Sequence, residues 1–343
     1  MIGKRFVISL LFCSSCMFIF LSNGRNDVNN KGIQELVSEL KVTDVLLRLG
    51  GKVPNHHIYK LNKDSVAIGY ELITKGKLEE KNSKRLSKFF VCIDCHNTVK
   101  EVADLSVENT EERLAYGMAN DLPFLPASTF YGLYNKTHWY NGDYELKYGD
   151  LVKPARDSLI HAIQLCAVQC SQGRPMESWE LNAVLHYFKS IELSIADLNL
   201  SPDELVLLSD AIRTKDKKGI QILKDKYTQA NSATFGEVEI PVKTNYQPNI
   251  NHGAYIFKNG CLHCHGMGKN ISNFEFDESN LTLSFLKSQL EKASHFTVPY
   301  LVRKGTYAVN GKRQYMPQYT LEKMSEEQML DLLAYISTKK QKE

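Results

Sequence analysis

Cys92-Ile93-Asp94-Cys95-His96 has a counterpart in Cys261-Leu262-His263-Cys264-His265. In each, two thiols three positions apart are followed at once by an imidazole. This is the pattern of covalent haem attachment: the thiols add across the two vinyl groups of one haem, and the adjacent histidine is placed to bind the iron on one face. A zinc ribbon joins its cysteine pairs over about 15–20 residues, whereas 166 positions separate Cys95 from Cys261. A thioredoxin-like dithiol needs a βαβ setting, and the surroundings here carry helical periodicity. Oxidation to disulfides leaves the histidine after each second cysteine unexplained. The expectation is two covalently bound haem c groups, attached at Cys92 and Cys95 and at Cys261 and Cys264, with His96 and His265 as iron ligands.

The chain around these strings is ordinary in bulk. It has 343 residues, 43% hydrophobic and 24% charged, which fits a globular protein and argues against continuous disorder. Its 42 basic and 39 acidic side chains leave a net charge of +3, with no electrostatic footprint for nucleic acid. The length suggests two domains plus connections.

Each string is followed, much later, by an amphipathic helix of one design. Leu181, Val184, Leu185 and Phe188 fall at i, i+3, i+4 and i+7, as do Met329, Leu332, Leu333 and Ile336. Tyr187 and Tyr335 occupy equivalent places. Ser325 with Gln328 predicts a capping box, and Ser178 is the N-cap expected for the earlier helix. Haem attachment followed by a packing helix resembles the class I cytochromes c. The second half carries that resemblance most fully, because Gly253, Ile256 and Phe257 lead into Cys261 and Met316-Pro317 follows 55 residues after it. The resemblance implies an all-α fold with two tandem cytochrome c-like helical domains, each built around one covalent haem.

The expected boundaries are a signal segment at 1–24, a polar, loosely packed stretch at 25–60 with a helix near 33–48, a first domain at 61–198, a helical and then extended linker at 199–248, and a second domain at 249–343. In the linker, Ser201-Pro202-Asp203-Glu204 starts one helix, a Lys-rich helix runs to about Tyr227, and residues 229–248 read as extended. At the N-terminus, Lys4 and Arg5 precede the uncharged apolar run Phe6–Leu21, and Ser22-Asn23-Gly24 offers small residues for cleavage. Export to the periplasm or another outside compartment is the expectation. An uncleaved membrane anchor and lipidation at Cys16 are the alternatives.

Met316 is the expected second ligand of the second iron. Pro317 biases it toward an extended loop that can cross the ring. Met267 is too close to His265 to do so, and Met324 and Met329 belong to the packing helix and its approach. His263 reads as an exposed loop residue.

The first half has no Met-Pro. Its candidates are Met118, His138, His161, Met176, Cys166 and Cys170. Residues 156–171 read as a helix ended by Gly173, with Leu159, Ile163, Cys166 and Cys170 on one inward face. Buried structural thiols are the bland reading. A disulfide is disfavoured, since an i,i+4 pair on an α-helix keeps its Cβ atoms about 5–6 Å apart and a disulfide needs about 3.5–4.5 Å.

The run Leu165–Arg174, then Glu177–Tyr187, resembles the dihaem thiosulfate dehydrogenases and related sulfur-oxidising cytochromes, as does the approach Ser87–His96. By that resemblance a cysteine seven residues before a glycine binds the first iron, which points to Cys166 before Gly173 as ligand and catalytic residue. Cys170 stands where those families usually have serine. The aromatic cluster of Phe130, Tyr131, Tyr134, Trp139, Tyr140, Tyr144 and Tyr148 is unmatched and reads as packing around haem. Arg174 could hold a sulfur oxyanion, a haem propionate or a nearby carboxylate.

Three functions follow as expectations. One is an exported dihaem carrier passing electrons to a redox partner protein or respiratory-chain component. Another is an oxidoreductase acting on a small inorganic sulfur compound such as thiosulfate at the first haem. A fused electron-entry subunit of a larger respiratory complex is a third.

Overall fold

The computed structural model describes residues 37–80, 83–105, 108–227, 232–241, 245–269, 271–290, 297–306 and 316–338. The expected export segment at 1–24, with its cleavage, anchor and lipidation alternatives, lies outside them. Among the described residues the fold is all-α, with isolated bridges and no strand. No helix among them is long and apolar enough to cross a membrane.

In chain order the principal helices are α1 (Val42–Arg48), α2 (Lys63–Lys75), α3 (Thr110–Ala119), α4 (Leu159–Leu165), α5 (Ser178–Ser190), α6 (Pro202–Thr214) and α7 (Lys218–Tyr227). They continue with α8 (Ile250–Ile256), α9 (Asn280–Leu290), α10 (Val298–Lys304) and α11 (Glu326–Ser337).

One helix crossing occurs twice. Asn62 caps α2 by accepting from Ser65 N at 2.9 Å, and Gly76 ends it in the left-handed region at φ 72°. The helix buries Gly69, Leu72 and Ile73 against α5. Asn249 caps α8, which presents Gly253, Ile256 and then Phe257 to α11. A Cβ on Gly69 would land on the Ala183 carbonyl and beside Tyr187, and one on Gly253 on the Asp331 carbonyl and beside Tyr335. Only glycine lets the backbones approach so closely. Tyr187 and Tyr335 thus hold equivalent positions, as their periodicity predicts. The Ser325–Gln328 capping box forms. Ser178, however, lies inside α5: Glu177 is its N-cap, with the Glu180 carboxylate accepting from Glu177 N at 2.8 Å.

The stretch expected to be loosely packed contains α1. Val42, Val45, Leu46 and Leu49 are buried with Leu193, Ile195, Leu198, Leu208 and Leu223, so α1, α6 and α7 share a third small core. The i, i+3, i+4, i+7 spacing of those α1 residues makes one apolar face inside a polar context. The described linker residues after α7 are extended and pinned at both sides: Phe235 N donates to Asp143 at 2.8 Å, and Leu321 N to Thr234 O at 2.9 Å.

Helix α3 lies in the first half of the chain yet packs on the second. Leu114 and Phe124 are buried in the core of Ile256, Phe257, Leu332 and Ile336, each contributing about 1.5–3 kcal/mol by burial. Tyr255 and Tyr319 donate at 2.6 Å to the Leu122 and Phe124 carbonyls, and Phe124 N donates to Asn259 O at 2.9 Å. Arg113 joins Lys323 O at 2.8 Å and the Glu101 carboxylate at 3.2 Å.

Candidate functional site

The two strings differ in backbone. Cys92–Asp94 is a 3₁₀ turn, closed by Val91 N donating to the Asp94 carboxylate at 2.7 Å. The second string follows a π-helical turn, Phe257–Cys261, and ends in the short helix Leu262–His265. The histidines are nevertheless held alike. His96 Nδ1 lies 2.6 Å from Ser128 O, and His265 Nδ1 lies 2.9 Å from Phe274 O. Two residues beyond each carbonyl a phenyl ring stacks on the imidazole, Phe130 at 4.3 Å and Phe276 at 4.8 Å between centroids.

A carbonyl can only accept, so Nδ1 carries the proton and Nε2 keeps the lone pair a metal needs. Burial lowers the His96 pKa to about 4 and lowers that of His265, keeping both rings neutral. Burial also pushes the Cys92, Cys261 and Cys264 thiols up to about 12; Cys95 is raised too, by burial first and then by the neighbouring Cys264 sulfur.

A cavity of about 400 Å³ opens beside the first string. Cys92, Cys95 and His96 form part of its wall, with Leu72, Phe130, Ile163 and Phe188. Two buried donors in the wall, Trp139 Nε1 and Gln318 Nε2, have no hydrogen-bond partner among the described residues. An apolar slot with thiols and an imidazole at one side and unsatisfied donors elsewhere suits a flat apolar macrocycle bearing carboxylates. The residues therefore fit haem.

Cys166 and Cys170 also line this cavity. The expected helix over 156–171 is interrupted: Ser158 caps a new start at α4, and Cys166–Cys170 forms a π-helical turn, with Ser171 N donating to Cys166 O at 2.9 Å. This turn carries both thiols on the cavity wall. Cys170 Sγ also meets Tyr148 Oη at 3.3 Å and Tyr140 Oη at 3.8 Å. The neighbouring Cys166 thiol, with both phenols and the Lys147 charge, outweighs burial and lowers Cys170 to about 6; the Cys170 sulfur and burial raise Cys166.

The other candidates separate clearly. Met118 and His161 are exposed, and neither lines the cavity. His138 is at its edge, exposed and 3.4 Å from Asp157. Met176 is buried in the wall. Arg174 forms a two-pronged ion pair with the buried Glu180 carboxylate at 2.6 and 2.7 Å, so the nearby-carboxylate reading is the one realised.

Met316 is half-buried against the second core. Its N–H donates to Thr306 Oγ1 at 2.7 Å, and its carbonyl accepts from Thr306 N at 3.0 Å. Met324 and Met329 are buried, whereas Met267 is 73% exposed. His263 is not an exposed loop residue: it is half-buried, with its ring beside the Ile93 carbonyl of the first string. Sequence reasoning missed Ser128, Phe274, Lys147 and Gln318. The only shared signal was a phenylalanine two residues past each histidine-bound carbonyl, too little to detect.

Residues 248–336 match the family model described as cytochrome c oxidase, cbb3-type, subunit III. No curated protein and no solved structure matches the chain. Residues 248–336 thus match a cytochrome c domain, which implies covalently bound haem c there and supports an electron-transfer haem protein.

Proposed function

We propose that this is an exported dihaem c-type cytochrome that passes electrons between a donor and a redox partner protein or respiratory-chain component. The observation that carries the second haem is the repeated setting of His96 and His265: a backbone carbonyl on Nδ1 and a stacked phenyl ring two residues later. Haem c, when bound, supplies a one-electron couple. The chain's part is to attach it, orient the imidazole and exclude water. Met316 is the proposed sulfur ligand at the second site, where thioether ligation raises the potential. A cysteine of the Cys166–Cys170 turn is proposed at the first. After expression with a competent maturation system, the protein should stain for haem under denaturing conditions, and its mass should exceed the polypeptide by two haem groups. A mass increment of one haem overturns the dihaem reading.

The second reading, oxidation of a small inorganic sulfur compound at the first haem, is favoured by one observation: both thiols, with two tyrosine hydroxyls on Cys170, border the cavity that holds His96. Thiosulfate should then reduce the wild-type protein and fail to reduce Cys166→Met. Correct ligation without such reduction leaves the carrier. The matched family name also suits a fused electron-entry subunit, which co-purification with an oxidase complex would reveal.

A further inference from the structure

The two attachment strings touch. Cys264 Sγ lies 4.0 Å from the Asp94 carbonyl oxygen, and the His263 ring sits beside the Ile93 carbonyl. Residues 93–94 are the two positions between Cys92 and Cys95, and 262–263 those between Cys261 and Cys264. The contact is therefore made by the loops that carry the thioether bonds.

The surrounding junction is built to stay closed. Leu114 and Phe124, from the first half, are part of the second half's core. Tyr255 and Tyr319 reach back to the carbonyls of Leu122 and Phe124 at 2.6 Å. Gly260 packs against the Phe124 carbonyl, where an added Cβ would lie at 3.1 Å. The segment after Met316 closes the other side: Pro317 and Gln318 line the first cavity, and Gln318 Oε1 accepts from Lys147 at 2.6 Å. Among the described residues, buried apolar surface and paired polar groups on both flanks oppose motion of one half against the other.

We infer that the docked strings form a fixed internal electron route in which the thioether edge at Cys95 faces the thioether edge at Cys264. This rests on the dihaem reading. With haem bound at both strings, an electron leaving one centre, which is thereby oxidised, would arrive at the other, which is thereby reduced. No proton moves and no bond is exchanged. Because the junction does not open, transfer is not gated by domain motion. The edge of the second site nearest the first string is also withheld from an external partner, so that partner must approach the second domain from another side.

The test uses the full-length holoprotein, first shown by mass to carry two haems. A one-haem mass defeats the dihaem reading and is thereby separated from failure of this inference. In the fully oxidised protein, electron paramagnetic resonance should show ferric signals broadened by mutual magnetic interaction, and the remaining signal should sharpen when one haem is reduced. Electron equilibration after a flash or pulse should keep its rate within a factor of two as glycerol raises viscosity tenfold. The double variant Tyr255→Phe with Tyr319→Phe, which keeps both strings, should slow equilibration and give it a viscosity dependence. Independent signals whose line shape ignores the partner's redox state, or a wild-type rate falling in proportion to viscosity, would overturn the inference.

Discussion

Gly69 meets Ala183 backbone to backbone, with the α2 glycine set against the α5 carbonyl so that no side-chain atom fits between them. Gly253 stands in the same relation to Asp331. Gly69→Ala and Gly253→Ala should each force the crossing apart and cost about 1–3 kcal/mol or more, the usual penalty of overpacking. Thermal denaturation of the holoproteins measures this. An unchanged melting midpoint in either variant would show that the crossing does not need the glycine.

Met316→Ala should remove the thioether from the second site and lower that haem's potential. The weak near-infrared band of methionine-to-ferric-iron charge transfer should disappear. Thr306→Val, which deletes only the hydroxyl that accepts from Met316 N, should keep the band while weakening the ligand's hold. Survival of the band in Met316→Ala would assign the ligand to another methionine.

At the first site, Cys166→Met should change the first haem's spectrum and spare the second, whereas Cys170→Ser should do much less, because a hydroxyl can keep the contact with Tyr148. The structure supplies a competing outcome, since the Tyr148 and Tyr140 hydroxyls both meet the Cys170 sulfur. A larger spectral change in Cys170→Ser than in Cys166→Met would transfer the ligand role to Cys170.

Glu101 ties the first string to the junction. It accepts from Asn97 at 2.7 Å and pairs with Arg113 at 3.2 Å and Lys323 at 3.6 Å. Burial alone would raise its pKa, but Arg113 and Lys323 together outweigh burial and bring it down to about 2. A carboxyl depressed in the folded state contributes stability above its ordinary value near 4.5 and loses that contribution as pH falls toward 2. Glu101→Gln should destabilise the protein at pH 7 by about 3–5 kcal/mol, the cost of breaking a buried pair. The gap from wild type should close between pH 4.5 and 2. A gap independent of pH in that range would mean that the pair contributes through shape and not charge.

The sequence alone determined what depends on neighbours along the chain. Two thiols and an imidazole within five residues set the cofactor chemistry, because haem attachment is local. The apolar faces of α5 and α11, the Pro202 start of α6 and the Ser325–Gln328 box were legible for the same reason: helical spacing and caps are written within a few residues. The tertiary structure decided the rest. His96 finds its carbonyl at Ser128, 32 residues away, while His265 finds Phe274 after nine, so no fixed spacing announces either. The longer intervening stretch holds α3, whose Leu114 joins a core formed by residues more than 130 positions later. The π-turn at Cys166–Cys170 replaced the α-helical spacing on which a disulfide was disfavoured. The meeting of the two strings depends on how whole helices pack, and packing is settled by burial and by partners distant in the chain, which no local pattern encodes.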